Sequence, residues 1–436
     1  MNVLVYCQKT TPRVEYIFST LLATIGFHGV EFTNDSHFYA ASVLPKINYS
    51  NEPITEKEVW IAPVDLLFEV GIKRQSIDCF NWLEHSCFYK VDNCSFPFDI
   101  FSASFYLITR YEEYLPHEKD MYGRFAHQNS MAFKQNFLQL PLVNIWLSEL
   151  KKIIENLFPS VQLTPPVFRF IPTYDIDIAF SYLHKGFKRN AGGFISQVMK
   201  GKWSLAMERI QVLLRKKNDP FNCYDWLNEL HKQHGMQPIY IFLLAQKNIG
   251  YDKNILPEKP AMMQLIKDHS AEYAVGIHPS WQSGDDEENL KKEINLLCKM
   301  TSMNISKSRQ HFIRMTLPET YQKIIQQGIS DDYSMGYGSI NGFRASYCLP
   351  YKWYDLSQEK TTNLIIHPFC YMDANSYYEQ HFTPEQVLVE MKHYYEITKQ
   401  INGELITIWH NHFLGTDKMF EGWKEVYEEF CLFMSS

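Results

Sequence analysis

The stretch FRFIPTYDIDIAFSY, residues 168–182, decides how the second half of this 436-residue chain folds. Its first part, RFIPTYD, predicts a buried strand, and two carboxylates, Asp175 and Asp177, stand where that strand ends. Because side chains alternate along a strand, these two acids share one side while Ile176 points to the other. Two neighbouring acids repel each other unless a cation or a proton lies between them. The stretch therefore predicts a strand end that carries chemistry.

Five further strand-like runs follow: QPIYIFLLA, EYAVGIHP, GISDDYSMGY, NLIIHP and ELITIWH. Amphipathic segments separate several of them, and this alternation predicts β–α units with parallel strands, whose functional groups collect at the carboxyl ends. His278, His367 and His410 each end one run, as Asp175 and Asp177 end theirs. We interpret these strand ends together as the rim of an active site.

The first 160 residues or so show a different organisation. MNVLVY and EVWIAP predict strands, whereas residues 11–26 and 97–115 have the apolar spacing of helices. Three prolines between residues 158 and 170 interrupt the periodicity. We therefore expect a smaller α/β domain of unknown function over residues 1–160 and a second α/β domain over residues 161–436.

Composition limits the class of function. A net charge of −7 and a pI near 6.2 give no general attraction to nucleic acid or to anionic membranes. No apolar run is long enough to predict a membrane span, and the start lacks the pattern of a secretory signal, so we expect a cytoplasmic location. Nine scattered cysteines without a CxxC pair favour reduced thiols over disulfides or a thiolate zinc site.

The motifs TYDID, GIHPS, GFRAS and IWHNH occur in the order found in the NodB-homology polysaccharide deacetylases, carbohydrate esterase family 4, which this chain resembles. Residues 308–356 and the run PFDIFSASFYLITRYEEYL resemble a bacterial branch with an additional N-terminal domain. The resemblance implies a distorted (β/α) barrel. It also implies a hydrolase of C–N bonds other than peptide bonds, which removes acetyl groups from an N-acetylated amino sugar or polysaccharide precursor.

The same resemblance implies roles for single residues. Asp175 falls on the family's general base, and Asp177, displaced by one position because Ile176 intervenes, falls on a metal ligand. His278 falls on a second metal ligand, and His410 on the residue that protonates the leaving amine. The expected cofactor is a divalent metal, with zinc as the first candidate.

Two further expectations concern the partners of these groups. The family's next ligand His would stand where this chain has Gln282, so a third metal ligand must come from elsewhere; we assign His367, with His412 as an alternative. Arg344, in GFRAS, is implied as the cation that pairs with Asp175 and keeps it oriented.

Aromatic residues beside the motifs are candidate sugar-binding walls, namely Trp281, Tyr337 and Tyr347. The segment SRQHFIR resembles a helix, and we interpret its Arg309, His311 and Arg314 as either structural groups or groups at the edge of the substrate.

Three hypotheses follow. The first is the metal-dependent deacetylase with a carbohydrate substrate. The second is a catalytically inactive carbohydrate-binding protein of surface-polysaccharide assembly, which Gln282 motivates. The third is a metal-free glycosidase, which ranks last because Asp175 and Asp177 on one strand lie closer than the roughly 5 Å that such a carboxyl pair needs. The sugar and the oligomeric state are not predicted.

Overall fold

Two largely parallel sheets organise the computed structural model, which describes residues 1–435. Its strands are β1 Asn2–Cys7, β2 Gly29–Thr33, β3 Lys46–Tyr49, β4 Val59–Ile61, β5 Phe80–Trp82, β6 His85–Cys87, β7 Arg169–Ile176, β8 Ile239–Leu243, β9 Ala274–His278, β10 Lys307–Ser308, β11 Asp331–Asp332, β12 Tyr351–Asp355, β13 Lys360–Ile366, β14 Tyr371–Met372 and β15 Glu404–His410. Its helices are α1 Pro12–Thr24, α2 Ser36–Ala41, α3 Ile100–Ile108, α4 Met131–Lys134, α5 Leu142–Leu157, α6 Gly186–Met199, α7 Trp203–Leu213, α8 Tyr224–His234, α9 Pro260–Glu272, α10 Glu287–Thr301, α11 Glu319–Gln326, α12 Pro384–Gln400 and α13 Trp423–Ser435.

The first sheet has the order β2-β1-β3-β4 and is parallel throughout. Helix α1 begins where the Thr11 side chain accepts the Val14 N–H and Pro12 supplies a preset φ angle. Helix α3 is shorter than residues 97–115 predict. Asp99 caps its start, and soon after its end Arg110 takes a left-handed φ of 56°, so a 3₁₀ turn follows instead of a continued helix.

The second sheet has the order β12-β13-β11-β10-β9-β8-β7-β15-β14, and only β12 is antiparallel to its neighbour. Strand pairing within residues 1–435 runs from β12 to β14 without closing, so the mixed α/β class holds but the expected barrel is not confirmed. The strand predicted from GISDDYSMGY shrinks to the two residues of β11. SRQHFIR is not an α-helix: it starts at the last residue of the short strand β10 and continues into a 3₁₀ turn over His311–Ile313.

Strand β7 is an interior strand of this sheet and lies between β8 and β15. Its partners stand in register, with Asp175 opposite His410 of β15 and Ile241 of β8. Because β7, β9 and β15 run in the same direction, their carboxyl ends bring Asp175, His278 and His410 to one edge. A single apolar core connects this sheet to the first one. Within the described residues, none of the helices has the length and apolar character needed to cross a membrane.

Candidate functional site

Three side chains at this edge form a group that could hold a metal ion: Asp177, His278 and His311. Their ligand atoms all lie within 4.8 Å of one another. Asp177 follows β7, and its two carboxylate oxygens face one imidazole each. Oδ1 lies 3.2 Å from His278 Nε2, and Oδ2 lies 3.4 Å from His311 Nε2. A carboxylate and two imidazoles are a donor set that zinc accepts, with a further position left for water or substrate.

Hydrogen bonds on the far side of each imidazole fix which nitrogen faces Asp177. His278 Nδ1 donates to the Arg309 carbonyl at 2.5 Å, and His311 Nδ1 donates to Asp252 Oδ1 at 3.1 Å. Each Nε2 is thereby left to act as the ligand atom, which is how metal-binding histidines are normally oriented. Asp177 Oδ1 is buried and has no hydrogen-bond partner among the described residues. The three side chains therefore fit a divalent cation.

The charges of this group favour a cation as well. Burial alone would raise the pKa of Asp177, but the neighbouring His311 and His278 hold it well below its usual range. Burial alone would lower the pKa of His311, but the Asp177 and Asp252 carboxylates raise it to about 9. Carboxylates that attract a proton to this point attract a metal ion to it equally, so proton and metal compete for the same place.

The other acid of the opening motif, Asp175, has a different partner. Arg309 Nη1 donates to Asp175 Oδ1 at 2.7 Å, and Arg309 Nε donates to the Tyr333 carbonyl at 2.9 Å. Both side chains of the ion pair are buried. The second oxygen, Asp175 Oδ2, lies 3.7 Å from His278 Nε2 and so faces the metal-binding group. The guanidinium holds one carboxylate oxygen and leaves the other available.

His410, at the end of β15, is held by a buried carboxylate. Its Nδ1 donates to Asp373 Oδ1 at 2.6 Å, and its backbone N–H donates to Asp373 Oδ2 at 2.6 Å. Its Nε2 lies 3.5 Å from Asp177 Oδ2. Burial opposes protonation, but Asp373 outweighs it and raises the pKa of His410 to about 10. Burial and the nearby His410 instead lower the pKa of His412 to about 3, so the two histidines of IWHNH differ in charge at neutral pH.

The expected pairing of Arg344 with Asp175 does not occur. Arg344 donates through Nε to Glu113 Oε1 at 2.8 Å and through Nη2 to Glu113 Oε2 at 2.5 Å. Arg110 also donates to Glu113, at 2.7 Å. Burial would raise the pKa of Glu113, but the two guanidinium groups lower it to about 2. Arg344 therefore joins the second half of the chain to the N-terminal part. Arg309, and not Arg344, is the cation that pairs with Asp175.

The structure also places His367 away from the metal-binding group. His367 Nε2 donates to Asp331 Oδ1 at 2.9 Å, and its ring stacks on Tyr333 at 4.3 Å. It lines a separate cavity with Arg169 and Glu404, which lie at the beginnings of β7 and β15, the opposite ends from Asp175 and His410. The hydrogen bond with the half-buried Asp331 fixes it there, so His311 and not His367 is the third member.

Gln282, which stands where the sequence resemblance implies a ligand histidine, takes part in this arrangement indirectly. Its Nε2 donates to Asp252 Oδ2 at 3.0 Å, while Asp252 Oδ1 accepts from His311. The Trp281 backbone N–H donates to the same carboxylate at 2.9 Å. Gln282 thus orients Asp252, which in turn orients His311.

A cavity of about 440 Å³ opens above these groups. The N-terminal part of the chain supplies one of its walls through Tyr122 and Arg124. Arg124 Nη1 donates to the Phe312 carbonyl at 2.7 Å and to the Gly338 carbonyl at 3.1 Å, while Asp120 accepts from its Nε at 2.6 Å. Phe312, which follows His311, has a φ of 60° that large side chains rarely adopt. Arg124 therefore braces the backbone that presents His311.

The three aromatic residues predicted to bind sugar lie in different places in the structure. Trp281 does not line the cavity, but its ring packs 5.8 Å from that of Phe312, which does, and 4.4 Å from that of Tyr251. Tyr337 is buried and its hydroxyl accepts from Arg110, and Tyr347 is buried with its hydroxyl bonded to Thr24. Neither tyrosine lines the cavity, and the ring of Tyr122, which the sequence analysis did not single out, does.

Asp373 and Asp252 are the acids that the sequence analysis missed. FCYM, before Asp373, is a short apolar run that ends in an acid, which is the same signal that marks Asp175. Asp252 lies in the polar stretch IGYDKN and has no comparable signal.

A family of unknown function, DUF7033, matches residues 3–159. A search of curated protein sequences finds no match. Among solved structures, a protein from Mycobacterium smegmatis described as a polysaccharide deacetylase is similar at 12% identity and a TM-score of 0.40, over 63% of this chain and 87% of that one. A protein from Pseudomonas aeruginosa PAO1 with the same description is similar at 11% identity and a TM-score of 0.36, over 61% and 83%. A polysaccharide deacetylase from Bacillus cereus is similar at 10% identity and a TM-score of 0.31, over 61% and 88%. These likenesses are distant.

Proposed function

We propose that this protein is a metal-dependent hydrolase that removes an acetyl group from an N-acetylated amino sugar, free or within a polysaccharide precursor. The proposal rests on one observation: the neighbouring acids Asp175 and Asp177 are held by different partners. Asp177 stands between two imidazoles that present Nε2, and Asp175 stands against Arg309. One acid is thus placed to bind a cation and the other to accept a proton.

Asp177, His278 and His311 would hold the metal ion. A divalent cation bound there would act as a Lewis acid, which would polarise an acyl carbonyl and lower the pKa of water. Zinc fits the donor set, and two histidines with one carboxylate also suit other first-row metals.

Asp175 would act as the general base. Arg309 occupies Oδ1 and leaves Oδ2 turned toward the metal-binding group, so the free oxygen is placed to take a proton from the attacking water. Water oxygen then bonds to the acyl carbon, and the C–N bond to the sugar breaks.

His410 would donate the proton that the leaving amine needs. Asp373 keeps it protonated and turns Nε2 toward the cavity. An imidazolium in this position also stabilises negative charge that develops on the acyl oxygen. Acetate and a free amino sugar are the products.

The cavity walls suit a sugar ring. Tyr122 and Phe312 line the cavity, and Trp281 packs against Phe312 from behind. Aromatic faces bind the apolar C–H faces of a sugar, while its hydroxyl groups reach Arg124 and Gln310, both of which also line the cavity. Gln310 Nε2 is buried without a partner among the described residues, so it has a donor to offer.

Gln282 motivates the alternative of a catalytically inactive carbohydrate-binding protein. His311 would supply a third ligand group, and Gln282 supports its orientation through Asp252, which favours the enzyme. The experiment is to supply purified protein with zinc, cobalt or nickel and to measure acetate release from a panel of N-acetylated amino sugars. We expect release that His311→Gln abolishes and His367→Gln preserves. Absence of both metal binding and acetate release would refute the proposal.

A further inference from the structure

Residues 186–217 form a helical hairpin whose surface differs from the rest of the protein. Helix α6 buries only Asn190, and helix α7 buries only Ala206 and Val212. The two helices are joined to each other by Arg209, which donates to Asn190 Oδ1 and Gln197 Oε1, both at 2.9 Å. The hairpin therefore packs mainly on itself and exposes most of its length.

The exposed side chains of the hairpin are unusually apolar. Of the 23 large apolar side chains exposed in the described chain, seven fall within residues 187–214. Met199 is 82% exposed and Trp203 62% exposed, and they flank the turn between the helices. Trp203, Met207 and Leu214, which directly follows the end of α7, are spaced by four and then seven residues, so they form one stripe on the hairpin. The others are Phe187, Ile195 and Leu213.

The same segment concentrates positive charge. Between residues 185 and 217 the chain has nine Lys and Arg and one Glu, although the whole protein carries a net charge of −7. Lys200 and Lys202 stand in the turn beside Met199 and Trp203, and all four side chains are exposed. Basic side chains next to exposed Trp, Phe and Leu are typical of helices that lie in the interface of a membrane.

The base of the hairpin is fixed close to the active site. Asp219 accepts the backbone N–H groups of Ser181, Tyr182 and Leu183, just before α6. Asn411, the neighbour of His410, donates to the Phe221 carbonyl at 3.0 Å, just after the hairpin. The hairpin thus leaves from the same edge of the sheet that carries the catalytic groups.

We propose that this hairpin docks the protein on a bilayer that contains anionic lipids, with Met199 and Trp203 inserted among the headgroups and the lysines paired with lipid phosphates. Such docking does not depend on the reaction proposed above. An anionic bilayer matches both features of the surface, whereas nucleic acid would match the charge but leave Met199, Met207 and Leu214 exposed, and a second copy of this acidic chain would match the apolar stripe and the charge only in part.

The test is cosedimentation of the full chain with vesicles of phosphatidylcholine alone or with phosphatidylserine. We expect binding only to the anionic vesicles, with at least about tenfold weaker binding for both Met199→Ser/Trp203→Ser and Lys200→Glu/Lys202→Glu. Matched controls change exposed residues elsewhere, Phe38→Ser/Val389→Ser and Lys291→Glu/Lys292→Glu, and should bind as the parent does.

Several outcomes would overturn the proposal. The first is no binding to anionic vesicles at low salt, and the second is equal weakening of binding in the hairpin variants and the control variants. The third is binding that Lys200→Glu/Lys202→Glu weakens while Met199→Ser/Trp203→Ser leaves it unchanged. If a single-stranded oligonucleotide displaces the protein from vesicles, and this displacement depends on Lys200 and Lys202 alone, the surface binds nucleic acid instead. If the protein forms a dimer that Met199→Ser/Trp203→Ser dissociates, the surface binds a second copy of the chain instead. Acetate release from a soluble substrate in every variant reports on catalysis separately.

Discussion

Arg309 and Asp175 form a buried ion pair, with Nη1 2.7 Å from Oδ1, although 134 positions separate them in the chain. This ion pair gives the nearly adjacent acids Asp175 and Asp177 different partners. Asp175 is fixed against a guanidinium, and Asp177 is left to the two imidazoles. Without Arg309, both carboxylates would compete for the same cation.

Replacing Arg309 by Lys should lower kcat by about 10²-fold, because a point charge cannot hold the carboxylate and the Tyr333 carbonyl with one planar group. Zinc affinity should stay near that of the parent, since Arg309 contributes only its backbone carbonyl to His278. Steady-state kinetics with calorimetric zinc titration separates the two effects. Equal loss of zinc binding and activity would contradict the assigned role.

Replacing Asp373 by Asn should reduce kcat by about 10²-fold, because His410 would lose the carboxylate that keeps it charged and oriented. The amide keeps the shape of the side chain, so the change tests charge more than packing. Asp331→Asn, which removes the carboxylate partner of His367, is the control and should leave kcat unchanged. A larger loss of kcat in Asp331→Asn than in Asp373→Asn would indicate that the proton donor is His367, in the other cavity, and not His410.

Replacing Arg124 by Gln should weaken zinc binding by roughly tenfold, because the left-handed Phe312 and the neighbouring His311 would lose their brace. Arg314→Gln is the matched control; it removes an Arg three residues after His311 that bonds the exposed Asp285 at 2.8 Å. Calorimetry of both variants measures the difference. Equal zinc affinities in the two would show that the N-terminal wall does not support the site.

Glu113 should make the folded protein sensitive to acid. Its pKa falls from 4.5 to about 2 on folding, because Arg344 and Arg110 outweigh its burial. A lowered pKa stabilises the fold above the unfolded value, so this contribution, about 3 kcal/mol, is present above pH 4.5 and is lost as pH falls toward 2. Urea unfolding of the parent and Glu113→Gln should therefore differ most at neutral pH and converge in acid. A difference that does not change with pH would contradict the ion-pair account.

The parts of the site that could be predicted lie after long apolar strands. β7, β9 and β15 are five to eight residues long and buried, so the run of apolar letters marks both the strand and the polar group at its end. Asp175, His278 and His410 meet at one edge for that reason.

Arg309 and His311 follow a strand, β10, that the sequence pattern does not indicate. β10 has two residues, Lys307 and Ser308, and it pairs on both sides with other strands instead of burying apolar side chains of its own. No hydrophobic period marks such a strand. The partner of Arg344 could not be predicted either, because Glu113 lies 231 positions away in the part of the chain that forms the first sheet.

The most direct test is the position of a bound metal ion in crystals grown with zinc and measured at the zinc absorption edge. The account predicts one anomalous peak bonded to Asp177, His278 Nε2 and His311 Nε2, within about 2.0–2.2 Å of each. A peak at His367 and Asp331, or no peak at the end of β7 under conditions where the protein releases acetate, would contradict it.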